Sequence, residues 1–464
     1  MSEQPLTEQH LAELHARAQE LGVPGFRMLS RDELIEAIEE ADRGDPGASR
    51  NEASAPEPEE SAGPERDEED EREAPRRRGR RRGRRGGRGR SRGGEREPEG
   101  DDNGPEAEAS EGRAEPEDDP EVETEEVTGV LDRMPQGYGF LRLEGMSAHE
   151  GDVYVSASQI RRCELRPGDE VSGPARAPRR GERHRALVRV ESVNGQEPEG
   201  ERVQFEDLTA VAPTRRLPLG EGEPLARAVD LLAPLAFGQR VLILAEPRSG
   251  RSTLLRSIGR TLAGADARVR VLLADERPEE VTEWERALPE AEIAAAPADQ
   301  EPADQVRAAE LAMGYAKRRA ESGEDVVVII DSLSRLALGY RDPSRVKRIF
   351  GAGRELSDEG SGSLTVIATV LDSDERGQDV RDALETTENA LLRLDAGLAA
   401  DGIVPSLLVA ESRVSGEEEL RSPEELEAAR ALRSELAEMD PADAARALGE
   451  RIEGSKSNSE LLGG

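Results

Sequence analysis

The sequence has few of the residues that build disulfide frameworks or membrane spans. Cys163 is the single cysteine among 464 residues, which excludes a disulfide framework and fits a reducing cytosol. No apolar run approaches the ~20 residues that a membrane span requires, and the first residues lack the apolar stretch of a signal peptide. We therefore expect a soluble, cytoplasmic protein with no membrane contact.

Aromatic residues and lysine are also scarce. Aromatics make up 2% of the chain against 35% charged residues, and the formal net charge is −36. Because a packed core needs runs of apolar residues, this composition predicts that only parts of the chain fold into compact domains. Only three of the 64 basic residues are lysine, namely Lys317, Lys347 and Lys456. Arginine stands in place of lysine almost everywhere.

The two N-terminal segments differ sharply in composition. Residues 1–43 carry apolar residues at helical spacing and predict a small helical module. Residues 44–126 are low in complexity and predict a disordered linker, in which acidic stretches flank the arginine–glycine block Arg76–Arg92. This block has two interpretations: a contact with nucleic-acid phosphates, or a charge-balancing tether that its acidic neighbours neutralise.

Residues 127–195 predict a small barrel of the OB or cold-shock type. Its β-prone runs, separated by Gly, Pro or Asp, are Val127–Leu131, Gly139–Leu143, Asp152–Val155, Glu170–Ser172 and Arg185–Val193. Tyr138 and Phe140 lie two residues apart and therefore share a strand face, and Tyr154 follows in the next run. Beside Arg142, these rings predict a stacking platform for single-stranded nucleic acid. The alternative is that they fill the barrel core.

Residues 205–420 predict a doubly wound α/β domain with a parallel sheet. Apolar runs typical of strands buried on both faces alternate with the helical patterns Glu279–Leu288 and Ala303–Arg319. The predicted strands are Val241–Leu244, Val269–Ala274, Val326–Ile330, Leu364–Thr369 and Ala390–Leu394. Residues 421–464 predict a helical C-terminal extension with a frayed end.

The run Val241–Thr253, VLILAEPRSGRST, is similar to a phosphate-binding loop. A strand passes through a tight turn into the predicted helix Leu254–Leu262, and this arrangement points backbone N–H groups at an anion. The fixed positions of the motif GxxxxGK[ST] fall on Ala245, Gly250, Arg251 and Ser252. Two of these four depart from the motif, since alanine stands for glycine and arginine for lysine. An ordinary strand-to-helix loop is the alternative.

Acidic residues follow two further predicted strands. VVVIIDS places Asp331 at a strand end, where a magnesium ion needs a carboxylate. VLLADERPEE places Glu276 at another strand end, where the water that attacks a γ-phosphate needs a base. Each carboxylate alone is as typical of a helix cap. Together with the loop, on successive strands, they indicate an NTPase.

Over most of its length outside the linker, the sequence resembles the Rho family of bacterial transcription termination factors. The strings that carry the resemblance are GYGFLRL, DVYVSASQIRR, LRPGDEVSG, FEDLTAVAPTRRL, GQRVLILAEPRSGRSTLL, LLADERPEEVTE, VVVIIDSLSRLALGY, KRIFGAGREL, GSLTVIATVL and ESRVSGEEEL. The resemblance implies a multidomain α/β protein, a homohexamer whose RecA-like ATPase motor follows the barrel and the helical module. It also implies ATP and Mg²⁺ as ligands and RNA-dependent ATPase and helicase activity. The implied partners are single-stranded RNA and the RNA polymerase transcription complex.

The resemblance also implies roles for individual residues at matching positions. A primary RNA site, which in the family prefers cytosine-rich RNA, would be lined by Tyr138, Phe140, Arg142, Asp152, Tyr154 and Glu182. The phosphates of ATP would lie against Arg248, Ser249, Gly250, Arg251, Ser252 and Thr253. Ser252 and Asp331 would bind Mg²⁺, and Glu276 would polarise the attacking water. Arg277 would contact the nucleotide, and Arg413 matches the arginine finger that reaches the neighbouring subunit's ATP.

Some positions depart from the family pattern. Lysine at position 251 would place a compact ammonium between the β- and γ-phosphates, whereas the arginine found there is longer, planar and forked. Glu246 stands where the family has proline, so a carboxylate lies beside the phosphate site. His184 replaces an aromatic residue of the RNA site.

Both segments that match the family's pore loops differ as well. Nine residues separate Tyr340 from Phe350, where the family carries a long loop that grips RNA, and the second loop near Asp372–Gln378 is acidic. Three functions therefore stay open. The first is a Rho-type enzyme that binds nascent RNA and couples ATP hydrolysis to transcript release. The second is a degenerate Rho paralogue that holds RNA without efficient hydrolysis. The third is an RNA-binding scaffold in which the arginine–glycine block dominates.

Overall fold

The computed structural model describes Ile35 and residues 123–463, apart from Asp266 and Arg341. Except for Ile35, the predicted helical module lies outside the described residues. The same holds for the linker up to residue 122, including its arginine–glycine block.

A closed six-stranded barrel begins the described chain. Its elements are β1 (Thr124–Arg133), β2 (Gly139–Arg142), β3 (Val153–Val155), α1 (Ala157–Arg162), β4 (Glu170–Arg176), β5 (Arg185–Leu187) and β6 (Ser192–Val193). The strand order is β1-β2-β3-β5-β4-β6, and an additional pairing of β1 with β4 closes the barrel. The single strand predicted at Arg185–Val193 is divided in the structure. The division lies opposite Gly173 and Pro174 of β4, where the four residues 188–191 face only two and the register between the strands is interrupted.

Alternating apolar side chains fill this barrel. Leu131, Leu141 and Val153 are fully buried in its core, as the period of two along a strand requires. Helix α1 begins with a capping box, in which Ser156 and Gln159 each bind the other's backbone N–H. The helix packs against the barrel through Ile160. The predicted OB-type architecture is confirmed.

A nine-stranded sheet forms the centre of the second domain. Its strands are β7 (Ala210–Val211), β8 (Arg240–Ala245), β9 (Arg268–Glu276), β10 (Glu292–Pro297), β11 (Asp325–Asp331), β12 (Arg354–Leu356), β13 (Ser363–Leu371), β14 (Ala390–Arg393) and β15 (Arg413–Val414). Along the main path the order is β10-β9-β11-β13-β8-β14-β15. The strands from β10 to β14 on this path are parallel, while β15, β12 and β7 add antiparallel edges. The predicted RecA-like, doubly wound sheet is confirmed.

Helices cover both faces of this sheet. They are α2 (Pro224–Leu232), α3 (Arg251–Ala263), α4 (Pro278–Ala287), α5 (Pro302–Glu321), α6 (Leu333–Leu336), α7 (Lys347–Phe350), α8 (Glu375–Leu384), α9 (Ala396–Ala400), α10 (Pro423–Ala437), α11 (Pro441–Glu453) and α12 (Asn458–Leu461). Short 3₁₀ turns lie at Phe205–Asp207, Ala337–Gly339, Pro343–Val346, Val409–Glu411 and Glu417–Glu419. Helices α2, α4, α5, α10 and α11 each begin with proline, which has no N–H to leave unpaired in the first turn. Within the described residues, no helix combines the length and the apolar character that crossing a membrane requires.

The C-terminal helices are part of the motor core. Leu436 and Leu448 are fully buried in the same apolar cluster as the strand residues Val241 and Ile243. The expected frayed end is wrong, because Asn458 is buried and its Nδ2 donates to the carbonyl oxygen of Arg227 at 2.9 Å. This hydrogen bond ties the last helix to α2.

The segments at the expected pore-loop positions are short and mostly helical. Between Tyr340 and Phe350, a 3₁₀ turn leads directly into α7, and Phe350 is fully buried. In the second segment, Asp374 caps α8 by accepting a hydrogen bond from the Gly377 N–H at 2.8 Å. Asp372 is buried and paired with Arg393. Little of the acidic sequence therefore forms an open loop.

Candidate nucleotide and nucleic-acid sites

The loop between β8 and α3 has the backbone geometry of an anion site. Gly250 has a φ of +85°, and it caps the 13-residue helix α3 without a side-chain hydrogen bond. A side chain other than hydrogen at this position would be strained and would also press on Ser406 Oγ, 3.3 Å from an added Cβ. The N–H groups of the first turn of α3 therefore point out of the helix at its positive end.

Side chains around the loop leave polar atoms for a ligand. The Ser249 hydroxyl is buried and has no hydrogen-bond partner among the described residues. Arg248 and Thr253 are exposed, and Glu246 is half-buried next to the turn. A buried hydroxyl without a partner beside free helix N–H groups suits a phosphate.

Two buried carboxylates face this loop from neighbouring strands. Glu276 ends β9 and Asp331 ends β11, which pair in parallel, so the chain brings both to the same edge of the sheet. Glu276 is 4% exposed and Asp331 is fully buried. Ser252 Oγ donates to Asp331 Oδ2 at 3.3 Å, and Thr369 Oγ1 donates to Asp331 Oδ1 at 2.9 Å. The predicted site residues Glu276, Asp331 and Ser252 therefore lie together.

Arg251 spans the two carboxylates. Its Nη2 donates to Glu276 Oε1 at 2.5 Å. Its Nε lies 2.8 Å from Asp331 Oδ1, close enough for an ion pair, but the N–H is not aligned to form a hydrogen bond. The side chain is 12% exposed. The forked guanidinium consequently contacts both acids at once, which the compact ammonium of a lysine does less readily.

Arg335 is a site residue that the sequence reasoning missed. Its Nη1 lies 2.5 Å from Glu276 Oε1 and donates to the carbonyl oxygen of Asp275 at 2.9 Å. The spacing from Asp331 could have indicated Arg335. Ser332 caps α6 directly after Asp331, and Arg335 follows within the first turn of this helix.

The surroundings of Glu276 change its acidity. Burial raises the pKa of Glu276 above its ordinary value, and the Asp331 carboxylate raises it further. The guanidinium groups of Arg251 and Arg335 act in the opposite direction. A raised pKa makes Glu276 a stronger base than an exposed carboxylate.

The other two predicted arginines are exposed. The Arg277 side chain is 67% exposed and donates to Glu280 Oε1 at 3.1 Å. The Arg413 side chain is 65% exposed on the edge strand β15, where its Nη2 lies 3.2 Å from Glu388 Oε1. Both guanidinium groups are therefore open to a ligand or to another chain.

On the barrel, the predicted aromatic residues form a surface cluster. The ring centres of Tyr138 and Tyr154 are 5.7 Å apart, and Phe140 lies 5.9 Å from Tyr138 and 6.0 Å from Tyr154. His184 joins the group 5.0 Å from Phe140. Tyr154 is 37% exposed and the other two rings are half-buried. None of the three belongs to the barrel core, so the core alternative is wrong for these rings.

The polar residues predicted for the RNA site take two different positions. Arg142 and Asp152 are buried and paired with each other, and the Arg142 guanidinium lies 5.7 Å from the Phe140 ring centre. Glu182 is exposed and accepts hydrogen bonds from Arg176 at 2.7 and 2.8 Å. These bonds, with a further one from the Arg179 N–H, lower the pKa of Glu182 to about 2.

The donor set at the phosphate loop fits Mg²⁺ bound together with a nucleotide. No cluster of three or more His, Cys, Asp or Glu residues suited to a metal occurs within residues 123–463 as described. Mg²⁺ in nucleotide sites takes one or two protein ligands and fills its shell with water and phosphate oxygens. Ser252 and Asp331 match that requirement.

Comparison with known proteins agrees with this geometry. Residues 5–43 match the family described as Rho termination factor, N-terminal domain, and residues 127–199 match Rho termination factor, RNA-binding domain. Residues 226–355 match the nucleotide-binding domain of the ATP synthase alpha/beta family. A solved ATPase from a type III secretion system of pathogenic bacteria aligns with 57% of this chain and 89% of its own at 22% identity. Its TM-score of 0.46 is too low to add to the assignment.

Three curated relatives carry the name transcription termination factor Rho. The protein of Chromobacterium violaceum is 37% identical over 364 residues, which cover 72% of this chain and 86% of the relative. That of Bacillus subtilis is 38% identical, covering 72% and 83%, and that of Aquifex aeolicus is 38% identical, covering 72% and 84%. The chain belongs to the Rho family of transcription termination factors.

Proposed function

We propose that this chain is a Rho-type termination factor that binds nascent single-stranded RNA and couples RNA-dependent ATP hydrolysis to transcript release from the RNA polymerase transcription complex. The observation that carries the proposal is the meeting of Glu276, Asp331 and Ser252 at one end of adjacent parallel strands, in front of the phosphate loop. A phosphate loop opposite a metal-binding acid and a base is what NTP hydrolysis requires. The relatives named above do not favour the degenerate-paralogue alternative.

The residues at and around the phosphate loop have different roles in this proposal. The backbone from Arg248 to Thr253 would bind the β- and γ-phosphates of ATP, and Ser252 with Asp331 would hold a magnesium ion. Bound Mg²⁺ would neutralise the charge that develops on the phosphate oxygens. Glu276 accepts a proton from the attacking water, a role that its raised pKa favours. Arg277 is exposed beside this acid and contacts the nucleotide.

Hydrolysis would also need a second subunit. Arg413 lies exposed at the edge of the sheet, so it is free to approach the ATP of a neighbouring copy. An arginine supplied in this way stabilises the negative charge of the transition state and contributes on the order of 10³-fold or more to the rate. A homohexameric ring provides such a neighbour at every site.

On the barrel, the exposed rings would stack the bases of RNA. Tyr154 is the most exposed of the three, and stacking depends little on sequence. Preference for cytosine would come from the buried pair beneath. Asp152 Oδ1 has no partner among the described residues and would accept from the cytosine amino group, while Arg142 would donate to a ring acceptor.

ATP hydrolysis by the purified chain, with and without oligocytidylate, tests the proposal. We expect turnover that rises when RNA is added and disappears in Glu276→Gln while nucleotide binding remains. An unaltered protein that binds both ATP and RNA but does not hydrolyse ATP would overturn the enzymatic proposal. Failure to bind oligocytidylate would overturn the RNA-binding role separately.

A further inference from the structure

The barrel rests on helix α5 of the motor through polar contacts along the length of the helix. The side-chain pairs include Arg307 with Asp132, Tyr315 with Glu170, and Glu321 with Arg166. At the middle of the helix the two backbones meet, because a Cβ on Gly168 would lie only 2.4 Å from the carbonyl carbon of Gly314. Because the two backbones are in contact, the barrel and α5 can move relative to each other only by a small amount.

Only the pair of Arg307 with Asp132 is connected through further contacts to the ring cluster on the barrel. This cluster of Tyr138, Phe140 and Tyr154 is called the RNA platform below. Arg307 Nε lies 3.0 Å from Asp132 Oδ2, and its Nη2 lies 3.0 Å from Asp132 Oδ1. The same Asp132 Oδ2 accepts from Arg142 Nε at 3.1 Å. Arg142 in turn pairs with Asp152. These four residues of alternating charge, Asp152, Arg142, Asp132 and Arg307, are called the charge row below.

The outer end of the charge row lies where a base would bind. The Arg142 guanidinium is 5.7 Å from the Phe140 ring centre. Asp152 Oδ1 is buried without a hydrogen-bond partner in the described part of the chain. A base stacked on the platform would therefore lie next to a buried arginine and carboxylate that already hold one another.

The inner end of the charge row lies on the helix behind the catalytic strands. The buried face of α5, including Ala309 and Ala316, packs in one apolar cluster with Ala274 of β9 and Ile330 of β11. Glu276 and Asp331 follow these last two strand positions closely. A shift of α5 would consequently displace the strands that carry both acids, because packed interiors transmit strain.

Resting on the RNA-binding role proposed above, we propose that Asp132 and Arg307 are positioning residues through which RNA on the barrel acts on the motor. A base edge that engages Arg142 takes N–H donors away from Asp132. Asp132 then binds Arg307 more completely, since its oxygens are shared between the two guanidinium groups in the free protein. The change in this ion pair alters how firmly α5 is held to the barrel.

Hydrogen–deuterium exchange of α5 in the full chain, with and without oligocytidylate, tests this inference independently of ATP turnover. Coupling between two sites in one protein typically corresponds to 5- to 150-fold in an equilibrium constant. We therefore expect RNA to change the exchange of α5 amides by at least about fivefold in the unaltered protein. In Arg307→Gln this response is lost, while the affinity for oligocytidylate stays within about twofold because Arg307 pairs with Asp132 rather than with a ring of the platform.

A matched control separates transmission from simple attachment. Arg166→Gln also removes an arginine–carboxylate pair between the barrel and α5, but this pair does not lead to the platform. It should keep the RNA response, and Arg307→Lys, which keeps the charge with fewer donors, should restore part of it. Equal responses in Arg307→Gln and the unaltered protein, or no response of α5 when RNA is bound, would overturn the inference. If Arg166→Gln loses the response of α5 to RNA as fully as Arg307→Gln does, Arg307 only attaches the barrel to α5 and the inference is overturned.

Discussion

Replacing Arg251 by lysine tests how the phosphate loop binds its ligand. In the structure the Arg251 guanidinium lies 2.5 Å from Glu276 Oε1 and 2.8 Å from Asp331 Oδ1. Asp331 would hold Mg²⁺, and Arg251 already pairs with this carboxylate, so nucleotide binding would have to displace at least one of these contacts. A lysine ammonium in this position pairs with one carboxylate and leaves the other open.

The size of the effect follows from the contact that is lost. A hydrogen bond or ion pair with a charged group contributes about 1.5–3 kcal/mol when the groups are largely buried, and Arg251 is 12% exposed. Each 1.4 kcal/mol corresponds to a factor of ten in an equilibrium constant. Arg251→Lys should therefore bind Mg²⁺ and a non-hydrolysable ATP analogue roughly 10- to 150-fold more tightly.

Isothermal titration calorimetry with the Mg²⁺ complex of the analogue measures this difference. Arg256→Lys is a suitable control, because Arg256 lies on the same helix and pairs with Glu280 and Glu283 rather than with the site acids. Equal or weaker binding by Arg251→Lys would refute the reasoning. That result would mean that the arginine contacts the phosphates and stabilises the nucleotide complex by more than its ion pairs stabilise the free protein.

Two further predictions concern acidity and stacking. If Glu276 accepts the proton from water, the rate of hydrolysis falls as the pH drops through the raised pKa of Glu276. Arg335→Gln should move this acid limb of the pH–rate profile to higher pH, because Arg335 lowers that pKa. A profile that stays in place or moves to lower pH contradicts the assignment. Tyr154→Ala should weaken oligocytidylate binding roughly 5- to 150-fold, corresponding to about 1–3 kcal/mol of stacking per base, without changing ATP binding. A fluorescence titration with oligocytidylate measures this difference. The control is Val188→Ala, which should bind oligocytidylate normally because Val188 is exposed on the same barrel but lies outside the ring cluster.

Much of the fold could be predicted because its signals are local. The buried parallel strands are continuous apolar runs such as VVVIID, and the proline-led helices carry their own start signal. The positions of Glu276 and Asp331 at strand ends also follow from the sequence, since parallel strands bring their carboxyl ends to one edge. The barrel was recognisable from short runs separated by turn residues, although the break between β5 and β6 was not, because it depends on which strands pair.

The sequence by itself determined the family, the sheet, the phosphate loop and the clustering of three aromatic rings. Tertiary structure alone decided which partners four of the arginines take. Arg251 and Arg335 converge on Glu276, Arg142 is buried between two aspartates, and Arg307 joins the barrel to the motor. In a chain where arginine replaces nearly every lysine, composition does not distinguish these roles. A guanidinium reaches several ångströms from its backbone, so its partner is set by residues distant in sequence that only folding brings near.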